Sequence, residues 1–285
     1  MNWFWLSLVY VLFLVCAELI NKVSITDKRI DEVVFGASVQ LTTGIFCLFL
    51  SFFLGWNFTF STESVVLFAG MSITYIVAVS MYFRGLKHID ISRVSILSSL
   101  GSIWSLIMGL VILREQMTLM KVIGVLCIGA AGVVVSLKKQ KVQLDLYTLL
   151  ILGATVFYAL GAVFDKRLNS YGTPLSYITL SFSFVGIGIL LVFANRTKAA
   201  FKKTFKMMQF WRGILVNGAL YSLGFTALFE AYNRGGEVSR LYPITHSTAV
   251  MVPILGIVIL KERGNVVQKM LATGILLVGL WTIGK

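Results

Sequence analysis

The residues best suited to chemistry are the few charged and polar side chains set within or beside long apolar runs. Glu18 lies about 15 residues into the run 3–20, and Asp165 immediately follows the run 146–164. Ionisable groups within a bilayer are costly and mark substrate paths or proton relays. A pair of carboxylates suits binding of protons or of a cationic group. The competing reading is interfacial: each carboxylate reaches headgroup water or pairs with Lys22 or Lys166 one turn away.

Arg93 and Arg240 each follow a serine just before an apolar run. A serine there suits a helix cap, and the helix N-terminus attracts anions. With the guanidinium, either position suits a substrate carboxylate or phosphate. The alternative is an arginine snorkelling to the headgroups. The ninth run, beginning Arg240-Leu-Tyr242-Pro243, is the most polar, and its two prolines, Pro243 and Pro253, free backbone carbonyls inside the membrane. Such breaks are tolerated where they face protein or a watery cavity. Tyr242, Thr245, His246 and Thr248 add hydrogen-bonding groups, so this helix is expected on a cavity wall. Tyr75, Trp104, Tyr158, Asn217, Tyr221 and Glu230 are further inward candidates, the aromatic ones suiting an amphipathic solute or an interfacial anchor. Glu115 and Glu262 follow a basic residue at a run's end and read as caps for the short turn to the adjacent span.

Catalysis is not expected. The chain has no His-Glu-x-x-His, Walker-type loop or nucleophile elbow, and Gly186-Ile-Gly188 sits in an apolar run without the strand–turn–helix context of a dinucleotide site. Two histidines are too few for a histidine-based metal cluster, and Cys16, Cys47 and Cys127 are widely spaced within apolar runs and read as small core residues. No cofactor or metal is expected. With no nucleotide-hydrolysing domain, transport would use a gradient or run passively.

These groups need a membrane scaffold to position them. Of the 285 residues 58% are hydrophobic and only 13% charged, with a mean hydropathy of +0.88. Soluble domains carry roughly 45–50% apolar and about 25% charged residues, so a water-soluble, disordered or nucleic-acid-binding chain is excluded. The net charge of +13 comes from short basic segments between apolar runs, as in cytoplasmic loops. Ten runs near the roughly 20-residue length of a spanning helix cover 3–20, 33–55, 64–83, 94–113, 121–137, 146–164, 175–194, 213–232, 241–260 and 268–283. They are apolar throughout, unlike the alternating strands of a barrel. An all-α integral membrane protein of ten transmembrane helices follows. The first run lacks a basic leader and a small-residue cleavage site, and is expected to be retained. Connections after odd-numbered spans hold 18 Lys and Arg against 7 elsewhere, which puts those connections in the cytoplasm and both termini outside.

The chain repeats itself at a lag of 147: Gly109-Leu-Val-Ile-Leu-Arg-Glu115 aligns with Gly256-Ile-Val-Ile-Leu-Lys-Glu262, Ser92-Arg93 with Ser239-Arg240, Gly132 with Gly279 and Glu18 with Asp165. Five spans per copy invert the second copy, the arrangement that lets secondary transporters alternate access. The halves are taken as 1–141 and 142–285. Leu113-Arg114-Glu115 with Gly124, Gly129 and Gly132, and Tyr242-Pro243 through Pro253 to Lys261-Glu262-Arg263 with Gly274 and Gly279, resemble the EamA family of the drug/metabolite transporter superfamily. The first half departs from the pattern, with Ile96 and Leu106 where the second has Pro243 and Pro253. The glycines read as close-packing faces for scaffold or homodimer contact. The resemblance implies a multi-pass plasma-membrane exporter of small metabolites, coupled to protons. Members commonly keep both termini in the cytoplasm, opposite to the charge count, which is preferred here. Alternatives are a carrier of sugar-linked or phosphorylated solutes, and a membrane sensor or accessory subunit that moves nothing.

Overall fold

The computed structural model describes residues 2–89, 94, 97–136, 145–248, 250–251 and 266–284. Apolar composition and N-terminal caps set the helices. Helix α1 spans Trp3–Ile25, capped by the Asn2 side chain, and α2 spans Glu32–Leu54, capped by Asp31. Helix α3, Thr62–His88, opens with a reciprocal box between Ser61 and Ser64. Next come α4, Gly101–Val111, and α5, Leu119–Ser136. Helix α6, Leu146–Leu168, is capped by Asp145, and α7, Pro174–Val192, by Thr173 with proline in its first turn. The last four are α8 (Ala194–Thr204), α9 (Met208–Asn233), α10 (Val238–Thr245) and α11 (Val266–Ile283). These caps supply acceptors for amide groups that a helix start leaves unpaired.

Six helices among the described residues are long and apolar enough to cross a membrane: α1, α2, α3, α6 with the short turn after it, α7 and α9. Shorter apolar helices cover Leu97–Val111, Leu119–Val134 and Met270–Ile283. The fold is all-helical, with one isolated bridge, Phe58 to Gly172, among the described residues. The connection that carries the six basic residues Arg196, Lys198, Lys202, Lys203, Lys206 and Arg212 contains α8, whose Arg196 pairs with Asp31 at 2.9 Å and with Glu32; Lys87 reaches Glu32 at 3.1 Å.

The most extensive packing is α2 on α7, α3 on α6, α1 on α9 and α5 on α11. Every one of these joins the first half of the chain to the second. Helices α5 and α11 are both 18 residues long and begin 147 residues apart. Gly124 and Gly279 bring them together: a Cβ on Gly124 would meet the Gly279 carbonyl at 3.1 Å, and one on Gly279 would meet the Gly124 carbonyl at 3.1 Å. Gly274, in contrast, has nothing within 4 Å. Cys16, read from sequence as a core residue, is exposed on the apolar outer face of α1.

The backbone turns tightly at two repeat-equivalent points. Leu100 N–H donates to the Leu97 carbonyl and Ile103 N–H to Leu100; 147 residues later Ser247 N–H donates to Ile244 and Val250 N–H to Ser247. These three-residue steps are tighter than an α-helix. In the second copy the turn follows Pro243, but residues 97–103 make the same turn in the first copy, whose sequence has Ile96 at the position equivalent to Pro243. The turn therefore belongs to the repeated backbone and not to proline alone. Ile96, Leu106's counterpart Pro253, and Glu262 divide differently: Leu106 lies in α4, whereas Ile96, Pro253 and Glu262 lie outside the described residues.

Candidate functional site

A cavity of about 170 Å³ sits between the two halves, lined from α1, α2, α3, α6, α7, α9 and α10. Tyrosine dominates it. Seven of the ten tyrosines face it: Tyr10, Tyr75, Tyr82, Tyr158, Tyr221, Tyr232 and Tyr242. The tryptophans go the other way, with Trp5, Trp56, Trp104, Trp211 and Trp281 exposed on the outside. A phenol offers an apolar ring and one hydrogen-bonding tip, which suits a part-polar interior.

Glu18 and Asp165 both line this cavity. Asp165 is fully engaged: the Tyr75 hydroxyl donates to Oδ2 at 2.5 Å and the Tyr177 hydroxyl to Oδ1 at 2.5 Å. Tyr75 comes from α3 and Tyr177 from α7, so this carboxylate ties both halves together. Glu18 is only partly buried, with Thr248 beside it on the cavity wall. The lysines one turn away serve helix ends. Lys22 Nζ donates to the Leu86 and Ile89 carbonyls at 2.7 and 2.8 Å; Lys166 Nζ donates to those of Tyr232 and Gly236 at 3.0 and 2.7 Å. Gly236 lies 147 residues after Ile89, so both lysines satisfy the C-terminus of the repeat-equivalent third helix.

His246 and Gly101 meet where the two tight turns cross. A Cβ on Gly101 would come within 2.7 Å of His246 Nε2, which has no hydrogen-bond partner among the described residues. His246 packs edge-on against Tyr242 at 5.0 Å between ring centroids. Both line the cavity, as do Thr245 and Thr248.

The structure therefore brings Glu18, Asp165, Tyr75, Tyr221, Tyr242 and His246 to one cavity. It places four other sequence candidates elsewhere. Asn217 is buried behind the wall, its amide donating to Asn21 Oδ1 at 2.9 Å; Asn21 in turn donates to the Tyr221 hydroxyl at 2.8 Å. Asn217 thus positions Tyr221. Glu230 is exposed at the end of α9 and pairs with Arg234 at 2.8 Å. Trp104 is 40% exposed on the outer face of α4. Arg240 pairs with Glu237 at 3.0 Å and covers the Trp3 ring. Arg93 lies outside the described residues.

Glu115 has a longer reach than its sequence position suggested. Its carboxylate accepts from the Val238 and Ser239 amides at 2.7 and 2.9 Å, capping α10 in the other half instead of the adjacent turn. Gly109 makes room, since a Cβ there would meet Glu115 Oε2 at 2.7 Å. Beside this cap the buried Lys121 pairs with Glu237 at 2.7 Å. Sequence reasoning had not singled out Tyr10, Tyr82, Tyr177, Tyr232 or Gln40. Tyrosine in the middle of an apolar run, away from both headgroup levels, was the available signal for Tyr10.

The chain matches a solved crystal structure over 98% of its own length and 95% of that chain, with a TM-score of 0.77 at 13% identity. At that identity the likeness shows the fold alone. No curated protein matches it. The EamA-like transporter family matches residues 3–137 and 146–284, two copies across nearly the whole chain. With two halves packed around one tyrosine-lined cavity, the chain belongs to the EamA-like transporter family, within the drug/metabolite transporter superfamily.

Proposed function

We propose that the protein is a secondary transporter that exports a small metabolite through the central cavity in exchange for protons. Its chain crosses the plasma membrane ten times as two inverted repeats, 1–141 and 142–285, with both termini outside. The observation that carries the reading is the pair Glu18 and Asp165. They are equivalent in the repeat, and both line a single cavity beside the two tight turns. Inverted repeats with discontinuous helices at a central site support alternating access. Carboxylates reached by the solute give each half-cycle a group whose charge changes with its proton. The reading in which serine–arginine pairs hold a phosphorylated solute loses support, because Arg240 pairs with Glu237 outside the cavity.

The test uses purified protein in vesicles with an imposed pH gradient. A solute that raises the unfolding midpoint in a thermal screen is followed as flux. Glu18→Gln and Asp165→Asn are each expected to abolish gradient-driven accumulation while retaining binding or solute exchange, because an amide keeps shape but cannot exchange a proton. Undiminished gradient-driven flux in both variants overturns the coupling. Binding without any flux favours a sensor.

A further inference from the structure

Resting on the reading of the cavity as the transport site, we infer that its Glu18 end binds an organic cation: a protonated amine or quaternary ammonium carrying an apolar or aromatic body. Charge is the first argument. Two carboxylates line the cavity, and among the described residues no lysine or arginine does. The basic groups close in sequence are directed elsewhere, Lys22 and Lys166 to helix-end carbonyls and Arg240 to Glu237. Among the described residues an anion entering this space would meet only like charge, whereas a cation supplies the counter-ion that an ionised carboxylate needs in a medium where a lone charge is costly.

The aromatic walls are the second argument. Tyr10, Tyr82, Tyr158 and Tyr221 all lie within electrostatic reach of Glu18, and they come from α1, α3, α6 and α9. Their rings form two connected walls. Tyr82 packs edge-on against Tyr158 at 6.0 Å; Tyr10 and Tyr221 both pack on Phe225, at 5.1 and 5.8 Å between centroids. Aromatic faces attract cations through the ring quadrupole, and a cage of them around a carboxylate recognises ammonium groups.

The third argument is acceptor capacity. Both oxygens of Asp165 are taken up by tyrosine hydroxyls. A carboxylate offers about four acceptor sites: Asp165 is buried with two of its own filled, whereas Glu18 is only partly buried at the cavity and keeps more room for an incoming N–H or a close cationic methyl group.

The experiment compares three probes that share one ring and differ in charge: 2-phenylethylamine, 2-phenylethanol and 3-phenylpropionate. Binding to the full chain in detergent is read as a rise in unfolding midpoint and as a titrated affinity. Only the amine is expected to stabilise the protein. Glu18→Gln weakens it by about tenfold or more, the loss of one charge-assisted contact. Tyr82→Leu weakens it several-fold, whereas Tyr82→Phe keeps it within about twofold, because the attraction needs the ring and not the hydroxyl. The Tyr82 pair decides the matter if Glu18→Gln fails to fold. No stabilisation by the amine, equal stabilisation by the alcohol or the acid, or an unchanged affinity in Tyr82→Leu overturns the inference. Failure here is distinct from failure of the carrier reading. Flux of a non-cationic solute without amine binding removes only the substrate class, whereas amine binding without flux removes only the carrier.

Discussion

Glu18 and Asp165 hold equivalent positions in two copies of one unit, yet their surroundings have diverged. In the second copy the carboxylate is a fastener, gripped by phenols from α3 and α7. In the first it shares the cavity lining with Tyr10, Tyr82, Tyr158 and Tyr221, with Thr248 beside it. Tyr75 and Tyr177 have no tyrosine at their repeat-equivalent positions, which are Ser222 and Ile30. The repeat has two equivalent acidic positions, and among the described residues only the second is held by phenols. The same division appears at the helix ends. Lys22 meets the C-terminus of α3, whereas in the second copy the task is shared: Lys166 takes the Tyr232 and Gly236 carbonyls, and Asn169, equivalent to Lys22, takes the Phe229 carbonyl at 3.0 Å.

The largest expected effect would break the comparison at the carboxylates. Asp165→Ala strands two buried hydroxyls, each costing about 1–3 kcal/mol when left unpaired. Glu18→Ala leaves at most the Thr248 hydroxyl without its neighbour, and such a hydroxyl can turn to a nearby main-chain carbonyl. Thermal unfolding in detergent should therefore show Asp165→Ala as clearly the less stable variant. Equal losses would mean that the two sites are mechanically equivalent.

A smaller effect sharpens the comparison at the lysines. Hydrogen bonds from charged donors are worth about 1.5–3 kcal/mol. Lys22→Met should approach that range, whereas Lys166→Met should cost less because Asn169 still holds α9. Adding Asn169→Ala to Lys166→Met should bring the loss level with Lys22→Met. Independent, additive losses equal in size for the two lysines would sink the idea of a shared task.

Much of this was legible in the chain. Long apolar runs dictate helices in lipid, and coincident charges at one lag reveal the duplication. The acidic pair stood out because ionisable groups inside apolar runs are rare. Other features could not be read. Spans that are apolar all round carry no periodic mark of which face turns inward, so Trp104 was as plausible a wall residue as Tyr82. The cap from Glu115 to α10 joins residues more than 120 positions apart, a pairing that local spacing cannot suggest. The tight turn at Leu100 has no proline to announce it. Beside it Gly101 packs against His246 in the opposite half, a contact that local spacing does not reveal.

The smallest effect concerns the connections after the first helix of each copy. In the first copy Asp27 and Arg29 pair at 2.8 Å in water, with Arg29 65% exposed. Hydrogen bonds from the Arg29 side chain and backbone hold the Asp27 carboxyl at about 2, below its ordinary range. Because that value is depressed, whatever the pair contributes is present above the ordinary carboxylate range and is lost only as pH falls through about 2. Solvent and salt screen it throughout. In the second copy Asn169 is buried and bonded to both Phe229 and Asn233, so removing it leaves polar groups unpaired. Asp27→Asn should accordingly give an unfolding midpoint that tracks the parent from pH 5 to 8, while Asn169→Ala lowers it at every pH. An Asp27→Asn loss as large as that of Asn169→Ala, or one that grows between pH 8 and 5, would show that the first connection anchors its helix as firmly as the second.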